Sequence, residues 1–264
     1  MKIKNLTQNL NLINQFIKRE IFIRYKGSFL GIMWSFITPI LMLAIYTFVF
    51  SVVFKARWGI NQDTSKIEFA LLLFAGLLIF NVFSEVVTRS PTLVTSNANL
   101  VKKVVFPLEI LPIVALGSSL FHAIISLIIL LLAVYIFLGQ VYWTIVLFPL
   151  VILPICLISL GFGWLISSLG VYIRDINQIV NVGVPALMFL SPIFYPISSI
   201  PTNLQFLFFL NPISYTVEDM RRIFIWGLLP RWEWLIFGNI IGILIAAIGF
   251  LWFKKTRSGF ADVL

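Results

Sequence analysis

Side chains able to move protons are scarce here: ten Asp and Glu, one His and one Cys in 264 residues. Glu85 and Arg89 stand four apart, the spacing that puts two charges on one helix face and lets them pair. Glu109 follows Pro107 at the head of an apolar run, where a negative charge suits a helix N-terminus. His122 lies inside an apolar run with no ionisable neighbour in sequence. It reads as a hydrogen-bonded packing residue or, more sharply, as a proton relay. Glu218, Asp219, Arg221 and Arg222 form one charged cluster, either a folded external loop with its own ion pairs or a lid over an exit path. General acid–base catalysis needs such groups to converge, and only Glu85, Glu109 and His122 fall in or beside the long apolar runs.

Phosphate, metal and acyl chemistry are equally thinly supplied. The chain has no G-x-x-x-x-G-K-[ST] to cradle a nucleotide, no H-E-x-x-H, no Cys/His cluster and no G-x-S-x-G. It also lacks the several buried carboxylates that proton-coupled transporters use. A chain of this kind is no enzyme by itself, and if it moves something uphill the energy comes from another subunit. No cofactor is expected in it.

The elements that must hold these residues are membrane helices. Sixty per cent of the residues are hydrophobic and 11% charged, against roughly 25% charged in soluble domains. No soluble interior hides so much apolar surface. The expected fold is an all-α integral membrane protein with six spans, at about 29–54, 69–88, 108–138, 142–172, 178–195 and 234–253, each near the roughly 20 residues a bilayer requires. The fourth is long and contains Pro149 and Pro154. Trp34, Trp58, Trp143, Trp226, Trp232, Trp234 and Trp252 lie near span ends, as interfacial rings should; Trp164 does not. Cys156 is alone, so no disulfide framework is available.

Residues 1–28 form a separate cytosolic amphipathic unit ahead of the permease domain at 29–264. Leu6, Leu10, Ile13, Ile17 and Ile21 follow helical spacing, with Lys4, Asn11, Asn14, Gln15 and Lys18 opposite. The helix lies on the membrane, packs on the protein's own cytosolic surface, or does both. No uninterrupted apolar stretch precedes Lys18, which reads against a secretory signal. The formal charge of +9 is spread between apolar runs, where it sets topology and meets anionic lipid rather than nucleic acid. With the N-terminus inside, 13 of the 19 Lys and Arg fall on cytosolic segments. Both termini are therefore expected in the cytosol.

Three connecting segments stand out. Residues 198–233 contain Pro201, Pro212 and Pro230 and apolar pieces too short to span, which reads as re-entrant or interfacial helices. Residues 90–107 form a cytosolic loop closed by Pro107, either a plain connector or a short helix that docks on a partner. At Arg174-Asp175 a charge pair holds a tight turn, or serves a similar contact. Gly238 and Gly242 make the spacing of close helix packing.

A family resemblance joins these pieces. The stretch Arg24-Tyr25-Lys26-Gly27-Ser28-Phe29-Leu30-Gly31-Ile32-Met33-Trp34-Ser35-Phe36-Ile37-Thr38-Pro39, continuing into Tyr46-Thr47-Phe48-Val49-Phe50, resembles the first-span signature of polysaccharide ABC exporter permeases. Asn99-Leu100-Val101-Lys102-Lys103 with Phe106-Pro107, Tyr172-Ile173-Arg174-Asp175-Ile176, Ser191-Pro192-Ile193 and Asn211-Pro212 match the same group, the ABC-2 type permeases that include O-antigen exporters, with teichoic-acid and capsule exporters as relatives.

The resemblance implies a homodimeric permease in the cytoplasmic (inner) membrane, paired with two copies of an ATPase subunit that binds ATP and Mg. The cargo would be an undecaprenyl-linked glycan passing along a channel at the dimer interface. Asn97, Asn99, Leu100, Lys102, Lys103 and Phe106 would then form the coupling helix, with Tyr172, Arg174 and Asp175 a second ATPase contact. Arg24, Tyr25 and Lys26 would stand at the substrate entrance, though anchoring to the membrane surface explains the two cations equally well. Trp34, Tyr46, Phe189 and Tyr195 could line the path, or simply pack. Glu218, Asp219, Arg221 and Arg222 would belong to the external gate. Two alternatives stay open: an ABC-2 permease for another cargo, such as a drug or lipid, and a membrane-embedded enzyme acting on lipid-linked sugars.

Overall fold

The computed structural model describes residues 2–49, 66–101 and 106–264. The described residues are helical throughout, with no strand. The helices are α1 (Lys2–Tyr25), α2 (Trp34–Tyr46), α3 (Lys66–Leu93), α4 (Ala98–Val101), α5 (Ile110–Leu138), α6 (Phe148–Tyr172), α7 (Ile176–Phe189), α8 (Gln205–Leu210), α9 (Pro212–Arg221), α10 (Trp232–Thr256) and α11 (Phe260–Val263). Among the described residues, five stretches are long and apolar enough to cross a membrane: Gly31–Val49, Ile67–Leu93, Ile110–Leu138, Trp143–Tyr172 and Trp232–Val263. They match five of the six expected spans.

The remaining span differs from expectation. Helix α7 has 14 residues, about 21 Å at 1.5 Å per residue, short of the roughly 30 Å hydrocarbon core. The chain then leaves helical geometry while still inside the protein. Such backbone survives at membrane depth only where the protein itself supplies partners, and Arg221 is that partner. Its Nη1 and Nη2 donate to the carbonyls of Pro192 and Ile193 at 2.8 and 2.9 Å, and its Nε to that of Leu72 at 3.0 Å. Gly76 leaves the room: a Cβ there would lie 3.0 Å from Nη2. The fourth span also differs, because its helix begins only at Phe148 after a 3-10 turn over Trp143–Leu147. Pro149 therefore occupies the first turn, where a missing N–H costs nothing.

Helix α3 is the centre. From Phe69 to Phe80 it is apolar all round and nearly every side chain is buried, as a helix enclosed by others must be. α5, α6, α7 and α9 surround it. α6 and α10 pack closely because glycines let their backbones meet. Gly238 and Gly242 face Pro154 and Leu157, as their spacing predicts, and a Cβ at Gly249 would sit 2.1 Å from the Gly161 carbonyl oxygen. α2 packs on α3 and α5 along one side and otherwise faces outward.

Two ends follow from the contacts. At the basal end gather α1, the start of α5, the α6–α7 turn and the end of α10. At the apical end lie the end of α5, the starts of α3, α6 and α10, and α9 with the turn after it. Helix α1 buries Ile13, Phe16, Ile17 and Ile21 partly and exposes Asn11, Asn14, Gln15 and Lys18, so it packs on the protein's own body. Leu10 is the exception to the expected stripe, being exposed. Trp164 escapes the interfacial pattern because it is core: its Nε1 donates to the Glu109 carbonyl at 2.9 Å.

Candidate functional site

Three transmembrane helices carry polar residues at helical spacing on the faces they turn to one another. α2 offers Ser35 and Thr38, α3 offers Asn81, Ser84 and Glu85, and α5 offers Ser119, His122 and Ser126. Together with Arg24, Tyr25 and Trp34 they line a cavity of about 420 Å³, within the range of small-molecule sites. Glu85 lies eight residues from the end of α3 and His122 twelve from the start of α5. At 1.5 Å per residue both stand roughly 12–18 Å in from the basal end. A polar, charged chamber at that depth in an apolar bundle is expensive, and such groups mark substrate or ion paths.

The charges interlock. Arg24 Nη2 meets Glu85 Oε1 at 2.6 Å, and Arg24 Nη1 donates to His122 Nδ1 at 2.8 Å. The Tyr25 hydroxyl lies 2.9 Å from His122 Nε2. Arginine has donors only, so Nδ1 is the acceptor here and Nε2–H points to the tyrosine oxygen. Burial raises the Tyr25 phenol above its usual value, keeping it protonated at neutral pH. Arg89 stands 3.7 Å from Glu85, as their spacing predicts, but its nearer partner is Glu20 on α1. The end of α1 is thus fastened to α3 by ion pairs and to α5 by hydrogen bonds to His122.

His122 is hydrogen-bonded, as one of its two readings expects, and its partners come from 97 and 98 residues away in sequence. Arg24, Tyr25 and Trp34 meet in one cavity. Lys26 does not line it and sits exposed in the following turn. Tyr46 packs against the central core. Phe189 and Tyr195 come together at the far end of α7, where the Tyr195 hydroxyl donates to the Phe189 carbonyl and Phe189 stacks on Phe194. Glu85, His122, Asn81 and Ser126 are the lining residues that sequence reasoning passed over or read as packing. Polar residues at 81, 84, 85 and at 119, 122, 126, three or four apart within apolar runs, were the available signal.

At the basal end the C-terminal segment ties two loops together. Arg257 donates to the Glu109 carboxylate at 2.6 Å and to the Phe106 carbonyl at 3.0 Å. One residue earlier, Thr256 bonds Ser168 and its carbonyl accepts from Tyr172 at 2.8 Å. Phe260 is fully buried against Phe253 and Tyr172. Asn97 donates to the Leu93 carbonyl, and Asn99 and Leu100 lie on α4. Phe106 meets Phe16 of α1 at 5.4 Å. Lys102 and Lys103 fall outside the described residues. Arg174 and Asp175 are exposed and make no ion pair with each other, so the turn stands without that pair and both charges face outward.

The apical charged cluster is not a surface feature. Arg221 and Asp219 are buried, and only Glu218 and Arg222 retain exposure. The surface placement expected for all four is corrected on that ground: a broken backbone at depth needs the guanidinium. Asp219 accepts from the Arg231 amide at 2.9 Å. Burial raises it from 3.8 to about 6, against the pull of that amide and of the Arg222 and Arg231 charges. A carboxyl whose folded value is raised binds a proton on folding. Its contribution to stability is full below pH 3.8 and is lost as the pH rises through 6. Asp219→Asn keeps the acceptor and removes the titration. It should therefore be the more stable protein at neutral pH, by at most about 3 kcal/mol, and lose the slope across that window. Unfolding temperatures across the window test this, and parallel slopes would refute it.

The fold and the site define a multi-pass helical membrane protein with a polar chamber between three of its helices. The family model described as ABC-2 type transporter matches residues 11–225, and the chain belongs to that family. It is 26% identical to the O-antigen export system permease protein RfbA of Klebsiella pneumoniae, over 98% of this chain and 97% of the relative. The Myxococcus xanthus protein of the same name is 28% identical over 98% of each chain. The polysialic acid transport protein KpsM of Escherichia coli is 24% identical over 77% of each.

Proposed function

We propose that the chain is the permease subunit that passes a lipid-linked polysaccharide across the cytoplasmic membrane, driven by a separate ATPase subunit, with two copies of each in the working assembly. The observation that carries this reading is the basal chamber, where Arg24, Tyr25, Trp34, Glu85 and His122 surround a space of about 420 Å³. A diphosphate-linked sugar head needs a guanidinium or ammonium, hydroxyl-bearing neighbours and an aromatic face to cross this depth; the chamber lining supplies Arg24, the Tyr25, Ser35 and Thr38 hydroxyls and Trp34. Full-length similarity to proteins named for O-antigen export supports the cargo class. The excess of basic residues on the segments of the basal end supports a cytosolic position for that end. There α4, Phe106 and the outward-facing Arg174 and Asp175 would meet the ATPase, while the outward face of α2 would meet a second copy. The aromatic group at Phe189, Phe194 and Tyr195 lies toward the exit.

Reconstitution tests this directly. The full chain, purified with an ABC ATPase subunit that co-assembles with it and placed in vesicles with lipid-linked glycan, is expected to move glycan to the far leaflet only when ATP is supplied. Glycan stimulation of hydrolysis is the accompanying signal. Transport without ATP, or sugar transfer by the chain alone, would overturn the reading.

A further inference from the structure

We infer that Glu85 is the resident counter-anion of the basal chamber, seated where the phosphate of an incoming diphosphate group must bind. The inference rests on the proposed export of a diphosphate-linked cargo and adds the step by which the chamber accepts it.

The groups of the chamber converge on one carboxylate. Glu85 takes Arg24 at 2.6 Å and has Arg89 at 3.7 Å, and its side chain is one-fifth exposed to the cavity it lines. The formal charges of Arg24, Arg89, Glu20 and Glu85 cancel. An anion entering this balanced set finds no free cation. It gains one only by taking Arg24 from Glu85, and carboxylate and phosphate present a guanidinium with the same paired-oxygen geometry.

The exchange leaves Glu85 one remaining cation. Arg89 sits one turn along the same helix at 3.7 Å, so the carboxylate can turn from Arg24 to Arg89 and share that guanidinium with Glu20 rather than be left unpaired. Arg24 is the last basic residue of α1 and its contact with Glu85 fastens that helix to α3. Phosphate capture therefore removes one of the two ion pairs between α1 and α3, leaves the Glu20–Arg89 pair in place, and ties the end of α1 to the ligand. His122 holds the guanidinium during the exchange through its 2.8 Å contact, and Tyr25 in turn holds the imidazole at 2.9 Å.

The test compares diphosphate binding by the full chain in nanodiscs for wild type, Glu85→Gln, Glu85→Asp and Arg24→Gln, using calorimetry at fixed ionic strength. The probes are inorganic pyrophosphate and farnesyl diphosphate carried in the bilayer. Removing the competing charge should tighten binding about ten-fold or more in Glu85→Gln, since a like charge beside the ligand is lost. Glu85→Asp, one methylene farther from Arg24, should fall between, which keeps the test open if the Gln variant does not fold. Arg24→Gln should bind neither probe. A greater gain for farnesyl diphosphate assigns the seat to a lipid headgroup and an equal gain to a soluble diphosphate; both support the displaced carboxylate. Unchanged or weaker binding in both Glu85 variants, with Arg24→Gln still abolishing it, overturns the inference and leaves the entrance standing. No binding by any of the four proteins removes the entrance itself.

Discussion

Exchanging Arg221 for methionine should lower the unfolding temperature more than any other single substitution at the apical end. The side chain is fully buried, yet burial brings its value down only to about 10, so it is charged at neutral pH. It donates to three carbonyls and faces Glu218 at 3.5 Å. Methionine fills a similar volume and donates nothing. The carbonyls of the turn after α7 would then be left without that donor, at about 1–3 kcal/mol for each unsatisfied group, and Glu218 would lose its counter-charge. A total of roughly 3–5 kcal/mol is the expected loss. Arg221→Lys restores charge but not the fork that reaches three acceptors, so it should recover only part. Denaturation of the three proteins in one detergent decides the matter; a methionine variant as stable as wild type would show that the turn finds other partners.

That prediction could not have been framed from the sequence. Glu218, Asp219, Arg221 and Arg222 read there as a solvated cluster, because charge density along a chain says nothing about which carbonyls lie nearby in space. Long apolar runs are another matter. α3, α5, α6 and α10 were legible because a membrane helix satisfies its own backbone and has only to be apolar for long enough. α7 was overestimated for the same reason: the residues after Phe189 are apolar enough to continue a helix, but Pro192 and Pro196 stop it and Arg221 makes the stop affordable. Close packing of α6 on α10 was visible in Gly238 and Gly242, whose spacing is local.

The basal chamber was half legible. The motif from Arg24 to Pro39 pointed to an entrance, yet its acidic partner was assigned to Arg89, four residues away. In the fold Glu85 lies closer to Arg24, 61 positions earlier, than to Arg89. Helical spacing reveals neighbours on one helix and is silent about neighbours on three. The polar stripes on α2, α3 and α5 offered a route, since a serine or asparagine every three or four residues in an apolar span needs a reason. Serines that bond their own helix, such as Ser90 and Ser159, dilute that signal.

Truncating Phe260 to alanine tests whether the basal end works as one piece. The ring is fully buried between Phe253 and Tyr172, and losing such a ring costs about 3–5 kcal/mol. The ring sits in a four-residue helix that packs on the ends of α6 and α10, so the damage should stay local. The tail loosens, and with it the links from Thr256 to Ser168 and Tyr172 and from Arg257 to Glu109 and Phe106. Those links join the two segments proposed to meet the ATPase. If both segments must move together, hydrolysis continues while glycan export per ATP falls roughly ten-fold, inside the range that couplings of about 1–3 kcal/mol produce. Phe260→Leu, which refills most of the space, should restore export. Hydrolysis and export falling in parallel, with loss of assembled complex, would instead confine the tail to a role in folding. Export unchanged in the alanine variant would mean that each segment transmits its motion independently, and the C-terminal clip would then have no part in transport.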